Sequence, residues 1–276
     1  MSLKKDLMSN TNIVDDRIKL DLVVSTYNNP KALSEIISLI ERGTLQPDNL
    51  HIADDGSTED NVHLIKERLT TYSGKNSYHW HEDKGFRKSK ILNQAIRSSE
   101  AEYIVFLDGD CLPHRKFIQD HQFLAREGCF IQGRRCFVSE TDVPSLLDRE
   151  TSLSKLQLSF KIKGMFKSFR TPFPITAKNQ KMKGIIGCNW GIWRKDLIRV
   201  NGFDEAYEGW GREDSDLAAR LYNSGISRII VRGRCLVYHL NHKENKRDRL
   251  MLNDQLLEKT TLDKRDFCVQ GINIME

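Results

Sequence analysis

The sequence has no long apolar run. No stretch approaches the roughly 20 apolar residues that a membrane-spanning helix needs. The first residues, Met1 to Lys5, lead into polar residues rather than into the apolar core of a signal peptide. Neither a membrane-spanning nor an exported protein is therefore expected. We expect a cytoplasmic protein in which residues 1–17 form a polar, flexible lead-in.

The sequence also lacks paired cysteines. No two stand in a Cys-x-x-Cys pair, and the scattered positions are Cys111, Cys129, Cys136, Cys188, Cys235 and Cys268. Without an export signal, these cysteines are expected to be reduced thiols rather than disulfides or zinc ligands. The net charge is only +5, so charge alone does not choose between a nucleotide, a phosphorylated substrate and an anionic membrane.

The first half of the chain alternates short apolar runs with amphipathic segments. Strands are predicted at 19–24 and 50–53, and helices follow them at 32–41 and 62–69. This order predicts a parallel sheet flanked by helices. Later strands are predicted at 77–81, 103–107, 129–138, 185–193, 228–231 and 235–239, and later helices at 91–98, 117–126, 195–200, 217–223 and 243–259.

One predicted strand ends in acidic residues and is the central candidate site of the sequence. The run from Tyr103 to Asp108 is followed by Gly109 and Asp110. Open α/β sheets bind ligands at the carboxyl ends of their strands, and a turn at Gly109 would let two carboxylates converge on one hard cation. We therefore predict a site for a metal and a nucleoside diphosphate. The alternative is an ordinary solvated Asp-Gly-Asp turn.

Residues 151–183 contain no acidic side chain. Their basic residues are Lys155, Lys161, Lys163, Lys167, Arg170, Lys178, Lys181 and Lys183. Apolar residues interleave with these charges, which suits an anionic lipid surface or a lipid-linked substrate. An active-site loop with solvated charges is the equal alternative. Gly164, Pro172 and Pro174 disfavour one continuous helix and predict a mobile insertion. No nucleic-acid-binding motif accompanies the charge, so no nucleic acid partner is expected.

A second acidic cluster surrounds Trp210, which stands between two glycines. Its acids are Glu208, Glu213, Asp214 and Asp216. Acidic residues at the start of a helix are favoured by the exposed N–H groups there. Four acids beside a tryptophan exceed what capping requires, so the cluster is a second candidate site.

Together these segments resemble a glycosyltransferase of the GT-A fold. The first half is similar to family 2 enzymes in the segments Val24–Asn28, Ala53–Ser57 and Leu107–Asp110. The second half resembles β-1,4-galactosyltransferases and chondroitin polymerase domains in Phe86–Asn93, Gly209–Asp216 and the late His239. The resemblance implies an α/β, Rossmann-like fold with a mixed, mainly parallel sheet flanked by helices.

The resemblance also implies a domain layout. A single GT-A domain would occupy 18–242, and a C-terminal helical extension would occupy 243–276. Within the domain, 18–138 would bind the nucleotide sugar, 151–183 would be the basic mobile insertion, and 184–242 would supply acceptor and catalytic residues.

On the donor side, the resemblance implies a nucleotide-sugar-binding set. Its members are Ser25, Tyr27, Asp54, Asp55, Arg87, Lys88, Lys90 and Asp108. Ser25 and Tyr27 would line the nucleoside pocket, and Asp55 would recognise uracil with help from Asp54. The three basic residues would face the diphosphate, and Asp108 would lie near the ribose and the metal.

For the metal, the resemblance implies Asp110 as a direct ligand, His239 as the second ligand and Asp108 beside them. His242 is a rival to His239. Carboxylate, imidazole and phosphate ligands suit Mn²⁺ or Mg²⁺. The metal-binding methionine of the galactosyltransferases corresponds to Leu236, which cannot coordinate a metal.

For catalysis, the resemblance implies Asp214 as the general base and Glu213 as the residue that orients acceptor hydroxyls. The acceptor-binding residues would be Trp210, Asn189 and Trp190, with Trp210 as a stacking wall for a sugar ring. The family's Gly-Gly-Glu-Asp is Gly-Arg-Glu-Asp here, so Arg212 is a departure beside the acceptor.

The activity implied is that of an inverting, metal-dependent glycosyltransferase. It would move a hexose or N-acetylhexosamine from a UDP-sugar to a glycan or lipid-linked glycan and form a β-linkage. By analogy the setting is bacterial lipopolysaccharide or capsule synthesis, with peripheral contact of 151–183 at the inner membrane. One alternative is a nucleotidyltransferase acting on sugar phosphates, which would need a glycine-rich phosphate loop after the first strand. The other is a non-catalytic carbohydrate-binding protein, which leaves Asp108, Asp110 and His239 unexplained.

Overall fold

The computed structural model describes residues 17–159, 161–163, 167–242 and 248–273. Its strands are β1 (Leu20–Thr26), β2 (Asn49–Asp54), β3 (Asn76–Trp80), β4 (Tyr103–Asp108), β5 (Cys111–Pro113), β6 (Cys129–Gln132), β7 (Arg134–Val138), β8 (Ile162–Lys163), β9 (Ile175–Asn179), β10 (Asn189–Trp193), β11 (Ser227–Arg232) and β12 (Leu236–Leu240). Its helices are α1 (Pro30–Glu41), α2 (Glu59–Thr70), α3 (Lys88–Ser98), α4 (Phe117–Leu124), α5 (Val143–Leu147), α6 (Leu153–Leu158), α7 (Arg194–Arg199), α8 (Glu213–Asn223) and α9 (Leu250–Leu262). Within these ranges no helix is long and apolar enough to cross a bilayer. The predicted lead-in, apart from its last residue, lies outside the described residues.

Eight strands form the main sheet in the order β3-β2-β1-β4-β10-β6-β11-β9. Strands β1 to β4 pair in parallel, as do β6 and β11. Strands β9 and β10 run antiparallel to their neighbours. Alternate side chains of β1 enter two cores: Leu22 packs with α1, α2 and α4, and Val23 packs with α3, α7 and α8. The predicted fold class, a mixed and mainly parallel sheet flanked by helices, is confirmed.

A second, four-stranded sheet has the order β5-β12-β7-β8. The single strand predicted over 129–138 is wrong. It is interrupted at Gly133, so that β6 joins the main sheet and β7 joins the small one. Gly133 N–H donates to the Asn189 carbonyl at 3.0 Å. A Cβ at Gly133 would lie 2.3 Å from Asn189 Nδ2 and 2.5 Å from the Cys235 carbonyl oxygen, so the break requires glycine.

Two helices in the second half start elsewhere than predicted. Helix α8 begins at Glu213, not at 217, because the acidic residues form its first turn, where exposed N–H groups favour negative charge. Helix α9 spans Leu250–Leu262, whereas 243–259 was predicted. The first part of that prediction, 243–247, lies outside the described residues.

The basic segment 151–183 contains α6, β8 and β9, and its residues 160 and 164–166 lie outside the described part. Arg170 anchors the segment, because its Nη2 lies 2.7 Å from Oδ1 of the fully buried Asp120 on α4. Arg234 Nη1 reaches the same oxygen at 3.0 Å. A buried carboxylate needs such partners. The mobility of this segment stays a prediction.

Candidate active site

The carboxyl ends of β1, β2 and β4 meet at one edge of the main sheet. In the pairing register Ser25 of β1 lies opposite Asp108 of β4, and Thr26 lies opposite Asp54 of β2. The turn after β4 packs closely on β1, since a Cβ at Gly109 would lie 2.4 Å from the Ser25 carbonyl oxygen. The predicted acidic turn therefore lies at the ligand-binding edge of the sheet.

Lys88, the first residue of α3, lies among carboxylates at this edge. Its Nζ donates to Asp108 Oδ1 at 2.6 Å, and Ser25 Oγ donates to the same oxygen at 3.1 Å. Burial alone would lower the pKa of Lys88, but the charges of Asp108, Asp214 and Glu213 outweigh burial and raise the pKa well above its usual value. Lys88 is therefore a firmly charged ammonium group that pairs with Asp108 of β4 and lies in the field of the two acids that begin α8.

The two predicted catalytic acids begin α8. Asp214 Oδ2 accepts the Gly187 N–H at 3.0 Å, and a Cβ at Gly187 would lie 2.0 Å from the Asp214 Cγ, so only glycine admits this contact. Burial and the charge of Asp108 raise the pKa of Asp214, although Lys88 opposes the shift. Asp214, Lys88, Asp108 and Ser25 line one small pocket.

Glu213 is more deeply placed, with 5% of its surface exposed. Burial, followed by the charge of Asp214, raises the pKa of Glu213 to about 7. Its Oε2 is buried and has no hydrogen-bond partner among the described residues. A buried acceptor without a partner is costly, so this oxygen remains available to a hydrogen-bond donor.

The structure brings Asp110, His239 and His242 together. His239 Nε2 lies 3.2 Å from Asp110 Oδ2, and His242 Nε2 lies 2.9 Å from the same oxygen. The three residues each offer one ligand atom, and these three atoms all lie within 4.8 Å of one another. Burial alone would raise the pKa of Asp110, but hydrogen bonds from both histidines outweigh it and hold the pKa well below the usual range.

The small sheet is what positions this group. His239 pairs with Cys111 of β5, the residue after Asp110, and the Leu240 N–H donates to the Asp110 carbonyl at 2.8 Å. One carboxylate and two imidazoles are a donor set suited to Mn²⁺ and similar cations. Both histidines that the sequence left as rivals therefore lie at Asp110. Asp108 is outside the group and faces Lys88 and Ser25, while Leu236 is fully buried.

On the nucleoside side, the two adjacent acids after β2 differ. Asp54 is fully buried and accepts the Ser57 N–H at 2.9 Å and the Tyr78 hydroxyl at 2.6 Å, so it holds the turn together. Asp55 accepts the Arg87 N–H at 3.0 Å, and its Oδ1 lies 2.8 Å from His81 Nε2. Tyr27 is 51% exposed beside them.

The three predicted diphosphate-binding cations point to different places. Lys88 lies with the carboxylates, whereas Arg87 and Lys90 line a separate cleft of about 170 Å³. That cleft also contains Glu205 and Glu208. The Arg87 guanidinium donates to the Glu82 carbonyl. We therefore keep Lys88 at the centre of the site and treat Arg87 and Lys90 as its flank.

The three predicted acceptor residues are separated as well. Trp210 is 38% exposed. Trp190 is fully buried against Phe130 in the core, and the buried Asn189 donates to the Cys235 carbonyl at 2.7 Å. A glycan cannot reach either residue, so both are left out of the acceptor site.

Sequence reasoning missed two contributors, His81 and Gly187. His81 follows β3 at the same sheet edge as Asp55, and that position after a strand was a usable signal. Gly187 is recognised only through its contact with Asp214, which brings together residues 27 positions apart. No local pattern could have revealed it.

Two family models match the chain. The model described as Glycosyl transferase family 2 matches residues 21–200. The model described as the N-terminal domain of galactosyltransferase matches residues 169–243. Together they cover both halves of the site described above.

Curated relatives are similar over most of the chain. A chondroitin synthase of Escherichia coli is 24% identical, with 83% of this chain and 36% of the relative covered. A hyaluronan synthase of Pasteurella multocida is 23% identical, with 84% and 26% covered. A validoxylamine A glucosyltransferase of Streptomyces hygroscopicus subsp. limoneus is 26% identical, with 87% and 56% covered. The chain thus spans only about a quarter to just over half of these relatives' lengths.

Solved structures share the fold. S. aureus TarS superposes with a TM-score of 0.61 at 14% identity, covering 90% of this chain and 41% of TarS. The mannosyltransferase PcManGT of Pyrobaculum calidifontis, solved with GDP-Man and Mn²⁺, gives 0.54 at 18% identity, covering 90% and 63%. GalNAc-T7, solved with UDP, GalNAc and Mn²⁺, gives 0.61 at 11% identity, covering 83% and 45%. These likenesses establish a GT-A architecture.

Proposed function

The chain belongs to glycosyl transferase family 2 and is a glycosyltransferase, and from that premise we propose that it transfers a hexose or an N-acetylhexosamine from a UDP-sugar to a hydroxyl group of a glycan. The reaction is metal-dependent and inverts the anomeric configuration, so an α-linked donor gives a β-linked product. By analogy with bacterial relatives, the product belongs to a lipopolysaccharide or capsule glycan.

One observation carries this proposal: the turn after β4 joins two different groups of side chains. Asp108 lies with Lys88 and Ser25, and two residues later Asp110 lies with two histidines. The first group is a polar pocket in which the Lys88 ammonium lies among carboxylates, and the second is a set of metal ligands. A nucleoside diphosphate joined to a sugar needs both in one place.

The metal ligands and Lys88 support a diphosphate leaving group. Asp110, His239 and His242 would hold Mn²⁺ or Mg²⁺, which as a Lewis acid would neutralise negative charge on the departing diphosphate. Lys88 remains charged, so its ammonium group adds fixed positive charge at the same edge. Asp55, next to His81, is the acceptor that we assign to the uracil N–H.

The acids of α8 support a single displacement. The acceptor hydroxyl must lose its proton as it attacks, and a carboxylate with a raised pKa is suited to take it. Asp214 lies in the pocket with Lys88 and Asp108. If Asp214 acts as the base and no covalent intermediate forms, the acceptor enters opposite the leaving group, which inverts the configuration. Glu213 orients the acceptor, and Trp210 stacks on its ring.

A donor screen tests the proposal. The protein is incubated with UDP-glucose, UDP-galactose, their N-acetylamino forms and GDP-mannose, with glycan acceptors, in MnCl₂ or in EDTA. We expect one UDP-sugar to release UDP and to transfer its sugar to the acceptor, in MnCl₂ only. NMR of the anomeric proton should show that the configuration of the product is inverted relative to the donor. Release of GDP alone, a retained configuration or full activity in EDTA would each contradict it. A nucleotidyltransferase would instead release pyrophosphate from UTP and a sugar phosphate, and a binding protein would release neither.

We also propose that the basic segment 151–183 contacts anionic lipid. Several of its apolar side chains are exposed: Phe169 by 40%, Phe173 by 83% and Ile175 by 66%. Ile175 begins β9 and pairs with Arg232, the last residue of β11. Through β6 and β10, the end of β11 lies at the same edge as the end of β4. This face would hold the active site near a lipid-linked acceptor.

Vesicle flotation tests the lipid contact. We expect binding to vesicles containing phosphatidylglycerol and little binding to phosphatidylcholine alone. The double variant Phe173→Ser, Ile175→Ser should weaken anionic binding at least about tenfold, because burial of such side chains is lost. The matched control is Leu262→Ser, Val269→Ser, which alters exposed apolar residues elsewhere. Equal binding to both vesicle types, or equal effects of the two double variants, would leave only the solvated-loop interpretation.

A further inference from the structure

The segment that carries Trp210 is held by the C-terminal helix. We call residues 208–212 the Trp210 loop. Asn253 of α9 is 1% exposed, and its Nδ2 donates to the Glu208 carbonyl at 3.2 Å and to the Gly211 carbonyl at 2.8 Å. One side chain thus bonds to both ends of the tryptophan-bearing turn.

Both glycines of the loop are required by this packing. Gly209 has φ +73° and Gly211 has φ +108°, backbone conformations that favour glycine. A Cβ at Gly209 would lie 3.1 Å from Arg249 Cβ, and a Cβ at Gly211 would lie 3.2 Å from Leu250 Cδ1. The loop backbone therefore lies directly against the start of α9.

Arg212 is the unexpected member of the loop. It adopts φ +80°, a backbone conformation that strains a residue other than glycine, and the family that the chain resembles has glycine at this position. Its Nε lies 2.5 Å from Asp254 Oδ1 on α9. In this chain the strained backbone is combined with an ion pair to the C-terminal helix.

A second contact ties α9 to the catalytic helix. Thr260 Oγ1 donates to Asp216 Oδ1 at 2.7 Å, and Asp216 is fully buried. The same carboxylate accepts the Tyr207 hydroxyl at 3.2 Å and pairs with Arg220 at 2.7 Å. Helix α9 thus contacts both the Trp210 loop and the helix that begins with Glu213 and Asp214.

We propose that α9 holds the Trp210 loop in the orientation that receives the acceptor, with Asn253 and Arg212 as positioning residues that set acceptor binding; this rests on the function proposed above. A loop with two glycines samples many conformations unless it is held. Ordering it in advance lowers the entropy cost that the acceptor would otherwise meet on binding. Neither residue contacts the donor pocket or the metal ligands in the described part of the chain.

The test uses three variants and two matched controls. Asn253→Ala removes the two hydrogen bonds, Asp254→Ala removes the ion pair, and Arg212→Gly removes the ion pair and the strain together. Glu258→Ala is the control on an exposed position of α9. Lys264→Gly is the control for strain, since Lys264 has φ +48° and lies outside the loop.

Hydrogen–deuterium exchange is the first measurement. Backbone amides of 208–212 should exchange about tenfold faster in Asn253→Ala, the effect expected when one or two hydrogen bonds are lost, while amides of β1 and β4 stay unchanged. Arg212→Gly and Asp254→Ala should speed exchange in the same peptide, and both controls should leave it as it is. Unchanged exchange in all three variants would overturn the proposal.

Kinetics provide the second measurement. In the three variants the acceptor KM should rise about tenfold, whereas UDP affinity in MnCl₂ and kcat at saturating acceptor stay within about twofold. A fall in kcat without a change in acceptor KM would overturn the positioning role. Because exchange is measured without substrate, faster exchange in a protein that transfers no sugar would contradict the proposed function and leave the structural link intact.

Discussion

Replacing Asp110 with alanine is expected to abolish Mn²⁺-dependent UDP binding while the protein stays folded. Asp110 provides the carboxylate in the group with His239 and His242. Loss of a residue that only hydrogen-bonds to a metal ligand lowers metal affinity about 10–100-fold, so loss of a ligand itself should lower it at least as much. Calorimetric titration of UDP with and without MnCl₂ measures the effect, and circular dichroism checks the fold.

The two histidines and one remote acid are the controls for this variant. His239→Ala and His242→Ala should each weaken binding less than Asp110→Ala, because water can replace one imidazole. His239 is the more enclosed, with 13% of its side chain exposed against 47% for His242. A larger effect at His242 would make it the principal ligand. Asp60→Ala removes an exposed carboxylate on α2 and should change nothing. Unchanged UDP affinity in Asp110→Ala would contradict the metal site.

The main sheet, whose edge carries Asp108, was predictable because its strand β4 is a continuous apolar run. Strand β4 is buried from Tyr103 to Leu107, β2 is buried throughout, and β1 is buried except at Ser25. Such runs ending in polar residues predict parallel strands with functional groups at one edge. That pattern predicts that Ser25 and Asp108 lie at the same edge of the sheet, and the register of β1 with β4 places them opposite each other.

The misplaced acceptor residues show where the pattern fails. The segment before Trp193 is strand-like, but its sequence pattern does not show whether one face of the strand or neither face reaches solvent. Strand β10 lies between β4 and β6, and all five of its residues are buried. Trp190 and Asn189 are therefore enclosed by the sheet's position, which only the complete fold determines.

The placement of Arg87, Lys88 and Lys90 in two pockets was not predictable for a different reason. The helix was predicted from residue 91, which left Arg87, Lys88 and Lys90 together in one basic segment before the helix, facing the diphosphate. Helix α3 in fact begins at Lys88. Successive helical residues are rotated by about 100°, so Lys88 and Lys90 leave the helix in nearly opposite directions. Their separation into two pockets follows from a start three residues earlier.

Replacing Asp214 with asparagine is expected to lower turnover by about 10²–10⁴-fold, the usual contribution of a general base. Donor binding should survive, because asparagine has the same size and its oxygen can still accept the Gly187 N–H. Burial raises the pKa of Asp214, and a base must be deprotonated to act. Turnover of the unaltered protein should therefore fall as the pH is lowered through that raised pKa. Turnover, UDP-sugar affinity and melting temperature are the measurements.

If Asp214→Asn keeps near-normal turnover, another acid of α8 must be the general base, and the structure shows which one is suited. Asp216 is fully buried and occupied by Arg220, Tyr207 and Thr260, so it cannot meet an acceptor. Glu213 would then be the remaining candidate of the three, since its pKa of about 7 and its unpartnered oxygen within the described chain suit proton transfer. Glu213→Gln distinguishes the cases. If Asp214 is the base, the glutamine variant should mainly raise the acceptor KM, whereas a loss of kcat confined to Glu213→Gln would transfer the catalytic role to Glu213.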